Sequence, residues 1–216
     1  MLTQTVLFDL DGTLTDSGEG IMNCAAYAME KLGVPVPPRE KMRIFVGPPL
    51  WDTFRHFGVP ENRLDDAVSI FRSRYIPIGK FENVPYPGIR EMLEALCADG
   101  KRLYVATSKP EKTAREILDH FELSGYFQRI CGASEDLSRS SKENVIAYLL
   151  DMDACRESSI MVGDTAFDVI GAAAHGIPTI GVSWGYGDIA EMKSAGAAAI
   201  ADTPAALLQI LENRNF

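Results

Sequence analysis

The apolar positions of this chain follow two different rhythms. Thr5-Val6-Leu7-Phe8 is a short continuous apolar run, the pattern of a strand buried on both faces. Directly after it the period changes to that of a helix. Ile21, Cys24, Ala25, Ala28 and Leu32 share one face, and Gly33 supplies the stop. Pro35, Pro37 and Pro38 break the chain, and shorter helical pieces are expected over 39–45, 50–57 and 61–75. They are punctuated by Val46-Gly47-Pro48-Pro49 and Gly58-Val59-Pro60. No strand pattern appears between Asp16 and about Gly79.

From Pro87 onward helix and strand alternate. Helical faces run through Ile89, Met92, Leu93 and Leu96, then Ala114, Ile117, Leu118 and Phe121, then Val145, Ile146, Leu149 and Leu150. Between and after them lie strands at Leu103–Ala106, Ile130–Cys131, Ile160–Val162 and Thr179–Val182. A helix through Val169, Ile170 and Ala173 stops at Gly176, and Thr203-Pro204 caps a last helix. Repeated strand–helix units imply right-handed crossovers. The expected fold is therefore α/β, a Rossmann-like doubly wound parallel sheet with an inserted all-helical domain. Residues 1–15 and 80–216 would form the core, and 16–79 the insertion.

Composition narrows the classes. At 46% hydrophobic and 24% charged residues, the chain reads as an ordinary soluble globular protein. It has no apolar run near the ~20 residues that cross a bilayer, and its N-terminus lacks a signal-peptide pattern. A net charge of −9 disfavours a nucleic-acid polymer as partner. Cys24, Cys97, Cys131 and Cys155 are widely spaced, as reduced thiols of a cytoplasmic protein would be. His56, His120 and His175 lack metal-ligand spacing.

The chemistry collects where strands end. In an open parallel sheet, ligands sit beyond the carboxyl ends of the strands. Three of these ends are polar: Asp9-Leu10-Asp11-Gly12-Thr13, Thr107-Ser108, and Gly163-Asp164-Thr165. Carboxylates at the end of a buried strand are costly unless a cation or phosphate chemistry uses them. Each element also has a plain reading. Asp-Gly is a common turn, Thr107-Ser108 suits a helix cap, and Lys142 alone reads as a surface lysine. Asp164 suits a helix cap too, and Asp168 a solvated helix face. Four such coincidences in one ordered set are harder to accept than one site.

That ordered set resembles the haloacid-dehalogenase-like hydrolases, in the branch of phosphoglycolate phosphatases and 5′-nucleotidases. Asp9-Leu10-Asp11-Gly12-Thr13 matches the first family motif, Thr107 the second, Lys142 the third, and Gly163 through Asp168 the fourth. Tyr86-Pro87-Gly88 resembles the return into the core, and the insertion resembles the family's cap domain. The resemblance implies a Mg²⁺-dependent phosphatase in which Asp9 is the nucleophile and forms an aspartyl-phosphate. Asp11 would protonate the leaving group and then activate water. Thr107, the Ser108 backbone N–H and Lys142 would bind phosphate. Asp9, Asp164 and the Asp11 carbonyl would hold the metal, and Asp168 would orient Lys142 or the metal's surroundings.

The expected partner is a small phosphorylated metabolite, with phosphoglycolate or a nucleoside monophosphate leading. Glu19, Asn23, Arg43, Gly47 and Pro48 in the insertion are candidate substrate contacts. For each of them a helix–helix turn or a solvated charge is an equal reading. A phosphomutase of the same fold, a phosphonatase and a regulatory module that binds a phosphate ligand remain alternatives.

Overall fold

The computed structural model describes residues 4–136, 138–152, 154 and 156–213. Cys155 lies outside the described residues; Cys24, Cys97 and Cys131 are free thiols. Along the chain, β1 (Thr5–Phe8) leads through β2 (Thr15–Asp16) into α1 (Gly18–Leu32), α2 (Arg39–Met42), α3 (Leu50–His56) and α4 (Leu64–Tyr75). The chain continues through β3 (Val84–Pro85), α5 (Ile89–Ala98), β4 (Arg102–Pro110), α6 (Glu111–His120), β5 (Arg129–Ala133) and α7 (Lys142–Met152). It ends with β6 (Ser159–Gly163), α8 (Ala166–Ala173), β7 (Thr179–Val182), α9 (Ile189–Ser194), β8 (Ala199–Ala201) and α10 (Pro204–Asn213). Among the described residues, no helix is long and apolar enough to cross a membrane.

Two compact units result: Met1–Thr15 with Pro85–Phe216, and Asp16–Val84. The first unit holds a six-stranded sheet in the order β5-β4-β1-β6-β7-β8, with every pair parallel. The period of two along β1 divides its side chains between two cores. Val6 and Phe8 join Leu103, Val105, Ile160 and Val162 beneath α5, α6 and α10. Leu7 joins Tyr104, Ala106 and Met161 beneath α7 and α8. Because β1 is central, the carboxyl ends of β4, β1 and β6 lie side by side. That adjacency brings the three polar strand ends together.

The second unit is helical. Phe45, Phe54, Phe57, Phe71 and Tyr75 form a chain of ring contacts with centroids 5.1 to 6.4 Å apart. The unit closes later than the sequence pattern suggested, at Val84 rather than near Gly79. The 3₁₀ turn at Gly79–Phe81 accounts for the difference, because it packs on α1 as part of the helical unit. Gly20 N–H donates to the Glu82 carbonyl (2.9 Å). Arg74 then grips the Glu82 carboxylate with two hydrogen bonds of 2.7 and 2.8 Å.

Gly20 makes that approach possible. A Cβ there would fall on the Gly79 carbonyl oxygen, which is backbone and cannot swing aside. Alanine in a helix interior gains about 1 kcal/mol over glycine in propensity. Overpacking costs about 1–3 kcal/mol, and more where backbone must move. Gly20→Ala is therefore expected to destabilise, lowering the urea midpoint despite the better helix former. A midpoint at or above that of the parent protein would show that the α1–turn contact yields freely.

Candidate active site

Lys142 is the hub of the site. It opens α7, where the Ser141 hydroxyl accepts from Asn144 N–H (3.2 Å) as an N-cap would. Its side chain is 5% exposed, and its ammonium donates to the Ala106 carbonyl at 2.8 Å. The same nitrogen is 2.8 Å from Asp9 Oδ1 and 2.7 Å from Asp168 Oδ1. Three donors meet three acceptors. Burial alone would discharge this lysine, but Asp168 and Asp9 outweigh it and hold the ammonium above its ordinary pKa. The surface reading of Lys142 fails because the three acceptors together compensate its desolvation.

Asp168 is likewise no solvated helix residue, being fully buried. Its other oxygen closes a capping box at the start of α8, accepting from Thr165 N–H (3.0 Å) and the Thr165 hydroxyl (2.9 Å). Burial pushes its carboxyl up, while Lys142 and Thr165 pull the other way. A Cβ on Gly163 would occupy the space of this carboxylate, so the glycine that ends β6 is fixed by Asp168.

Asp164 is 1% exposed and is enclosed by backbone. Thr13 Oγ1 donates to its Oδ1 (3.2 Å) and Tyr186 N–H to its Oδ2 (2.8 Å). Side chains on Gly12 or Gly185 would collide with it. Gly12 also has φ +82°, a turn conformation that β-carbons disfavour. Burial, then Asp168 and Asp9, raise the Asp164 carboxyl to about 8.

Oxygens of Asp9, Asp164 and Asp168 all lie within 4.8 Å of one another. Three carboxyl groups against one ammonium leave a formal deficit of two positive charges. That all-oxygen donor set could hold one divalent cation. Asp168 meets Lys142 through Oδ1 and Thr165 through Oδ2, while Asp164 is held by Thr13 and Tyr186 and Asp9 by Lys142.

Of the phosphate candidates, Thr107 is buried and Ser108 exposed, both within β4 rather than after it. Neither caps α6, whose N-cap is Pro110. Glu19, Asn23, Arg43, Gly47 and Pro48 all belong to the helical unit. Glu19 and Asn23 converge on Arg39, for which the residue pattern offered no site role: its guanidinium bonds Asn23 Oδ1 (2.8 Å) and pairs with Glu19. Arg43 is exposed, and Gly47 turns with φ +108°.

A model of the haloacid dehalogenase-like hydrolase family matches residues 6–182. The chain belongs to that family. Among its relatives is a 5′-nucleotidase of Pseudomonas aeruginosa, 41% identical over 210 residues, which span 96% of this chain and 95% of the relative. The tyrosine-protein kinase PtkA of Mycobacterium tuberculosis is 46% identical over 185 residues, 85% of this chain but 63% of the longer kinase. The crystal structure of a predicted phosphatase from Clostridium acetobutylicum superposes with a TM-score of 0.91 at 41% identity, covering 98% of this chain and all of the other.

Within this family site, two contributors escaped the sequence pattern. Lys109 Nζ lies 2.7 Å from Asp11 Oδ2. The Trp184–Gly187 loop backs Asp164, with Trp184 Nε1 also donating to the Thr13 carbonyl (3.0 Å). A glycine-rich run just after the Thr179–Val182 strand was the available signal for that loop.

Asp164 gives the site a pH signature. In an unfolded chain its carboxyl titrates near 4; folded, it keeps its proton to about 8. Between those values the native state binds the extra proton, so stability falls as pH rises. In chelator, the urea midpoint is expected to drop between about pH 5.5 and 8.5, and Asp164→Asn to flatten that slope. Equal slopes in the two proteins would remove Asp164 as its origin.

Proposed function

We propose that the protein is a Mg²⁺-dependent phosphatase of small phosphomonoesters, with nucleoside monophosphates as the leading substrates. The observation that carries this reading is the pairing of Asp9 with Lys142 inside a cluster short of two positive charges. A phosphate dianion approaching a carboxylate at ~4 Å meets about 8 kcal/mol of repulsion at an effective dielectric of ~20. Lys142 offsets part of that. Mg²⁺ held by Asp9, Asp164 and the Asp11 carbonyl would supply the remaining charge neutralisation.

Asp9 attacks phosphorus and becomes an aspartyl-phosphate, which divides one slow displacement into two. Asp11 gives a proton to the departing alkoxide and later takes one from the attacking water. Thr107, the Ser108 N–H and Lys142 hold the transferring oxygens, where positioning and electrostatics supply most of the rate. Asp168 keeps Lys142 aimed. The helical unit serves as a cap that excludes water and larger phosphates, with Glu19, Asn23, Arg43, Gly47 and Pro48 as its substrate contacts. The acidic net charge and reduced thiols suit work in the cytoplasm on a small phosphorylated metabolite.

The full-length relative named 5′-nucleotidase supports nucleoside monophosphates. Phosphoglycolate, the second candidate, has Arg43 as a carboxylate partner and more distant relatives, 30% identical over 194 residues, named phosphoglycolate phosphatase. Two outcomes test the reading. Asp9→Asn should abolish turnover and keep the fold, and EDTA should silence the parent protein. In a panel of nucleoside monophosphates, phosphoglycolate, sugar phosphates and a phosphotyrosyl peptide, kcat/KM should be highest for a nucleoside monophosphate. A preferred peptide would sink the cap argument, and isomerised sugar phosphate without released phosphate would make the protein a mutase.

A further inference from the structure

The β4–β5 pairing is irregular at one place. Ala106 pairs with Cys131 and Pro110 with Ala133, so Thr107, Ser108 and Lys109 all stand opposite Gly132 alone. This is a bulge, a device that re-aims side chains at a strand end. It is held tightly. A Cβ on Gly132 would strike the Lys109 carbonyl oxygen and the Glu111 backbone, so β5 can approach the bulge only as glycine. Thr107 Oγ1 accepts from the Lys109 N–H (3.3 Å), which ties the bulge across its base.

The bulge delivers a second lysine to the site. The Lys109 side chain is 6% exposed, and its ammonium meets Asp11 Oδ2 at 2.7 Å. Asp11 Oδ1 is also buried, and among the described residues it has no hydrogen-bond partner. One oxygen of the proposed acid–base group is thus held, and the other is left for chemistry. A carboxyl with both oxygens unheld could rotate about two bonds, and a 1 Å misplacement can cost about 10²-fold in rate.

We infer that Lys109 is a positioning residue, fixing Asp11 through Oδ2 so that Oδ1 is the oxygen that serves the leaving group. This rests on the reading of Asp11 as general acid and base. In the first step Asp9 bonds to phosphorus and the ester P–O bond breaks with its electron pair going to the leaving oxygen. That oxygen receives the proton carried on Asp11 Oδ1. In the second step the oxygen of a water bonds to phosphorus while Oδ1 takes its proton, and the bond from Asp9 to phosphorus breaks with its electron pair returning to the Asp9 carboxylate, releasing phosphate. Lys109 remains an ammonium throughout and forms no bond to phosphorus.

Leaving-group chemistry separates this role from plain charge or plain structure. An alkoxide must be protonated as it leaves, whereas p-nitrophenolate departs unaided. kcat/KM is governed by steps up to the first irreversible one, transfer to Asp9, so it isolates the acid role. The experiment compares kcat/KM for AMP and p-nitrophenyl phosphate in the parent protein, Lys109→Met, Lys109→Arg and Asp11→Asn. Lys109→Met should lose about 10²-fold on AMP and less than about threefold on p-nitrophenyl phosphate. Lys109→Arg, which can still hold Oδ2, should recover most of the AMP rate and guards against a fold failure in the methionine variant. Asp11→Asn should show the same selectivity at least as strongly. Equal losses on both esters, or none on either, would overturn the inference while leaving Asp11 in its role. Asp11→Asn without leaving-group selectivity would overturn the acid–base reading and this inference with it. A crystal structure of Lys109→Met with the Asp11 carboxyl unmoved would overturn it independently of turnover.

Discussion

The site depends on the burial of one ammonium. Lys142 reaches the carboxyl end of the sheet from the start of α7 and touches β4 through Ala106, the end of β1 through Asp9, and α8 through Asp168. Removing a lysine from water is expensive, and only several well-placed acceptors compensate it. That requirement couples the three elements. Asp168 must keep a rotamer that its capping box enforces, and β6 must end in Gly163 to leave that rotamer room. Asp9 is thereby oriented before any substrate arrives.

Around that ammonium the charges are left unbalanced. Elsewhere, Arg74 meets Glu82 and Arg139 meets Glu111, each acid with its own base. At the strand ends three acids share one lysine, and Asp164 answers by holding its proton to about 8. A protein core under selection for stability alone would not leave such a deficit, because unbalanced buried charge is among the costlier features of a fold. Asp164 is boxed in by Gly12, Gly185 and the Tyr186 N–H, so it cannot relieve the deficit by turning to solvent.

Much of this was legible in the residue pattern. Apolar runs bounded by polar residues located β1, β6 and β7, and the strand–helix alternation implied the parallel sheet whose ends converge. β8 and α9 were missed because Ala199-Ile200-Ala201 carries almost no alternation and α9 is a single short turn and a half. β4 runs on to Pro110, past the expected stop at Ala106, because the bulge lets polar residues continue along the edge of β5. Residue pattern by itself read Lys142 as a surface lysine and Asp168 as a solvated helix face, and only the family resemblance put both at the site, since burial of a charge depends on partners far away in the chain. Lys109 gave no signal at all: nothing in a Thr-Ser-Lys-Pro run says which of its side chains a bulge will turn inward.

The central strand of the sheet precedes both of its neighbours in the sequence. β1 lies between β4 and β6, whose residues follow it by roughly a hundred and a hundred and fifty positions, and the helical unit intervenes. On a ribosome, then, the strand that carries Asp9 emerges before either of its neighbours exists. The helical unit, with its short-range contacts, can close early, since local contacts form faster than distant ones. The sheet cannot, because its middle has to wait for its edges. The order of synthesis therefore runs against the order of docking, and Thr5–Phe8, an apolar segment with two unpaired edges, is the part of the nascent chain that most needs to be kept from other strands.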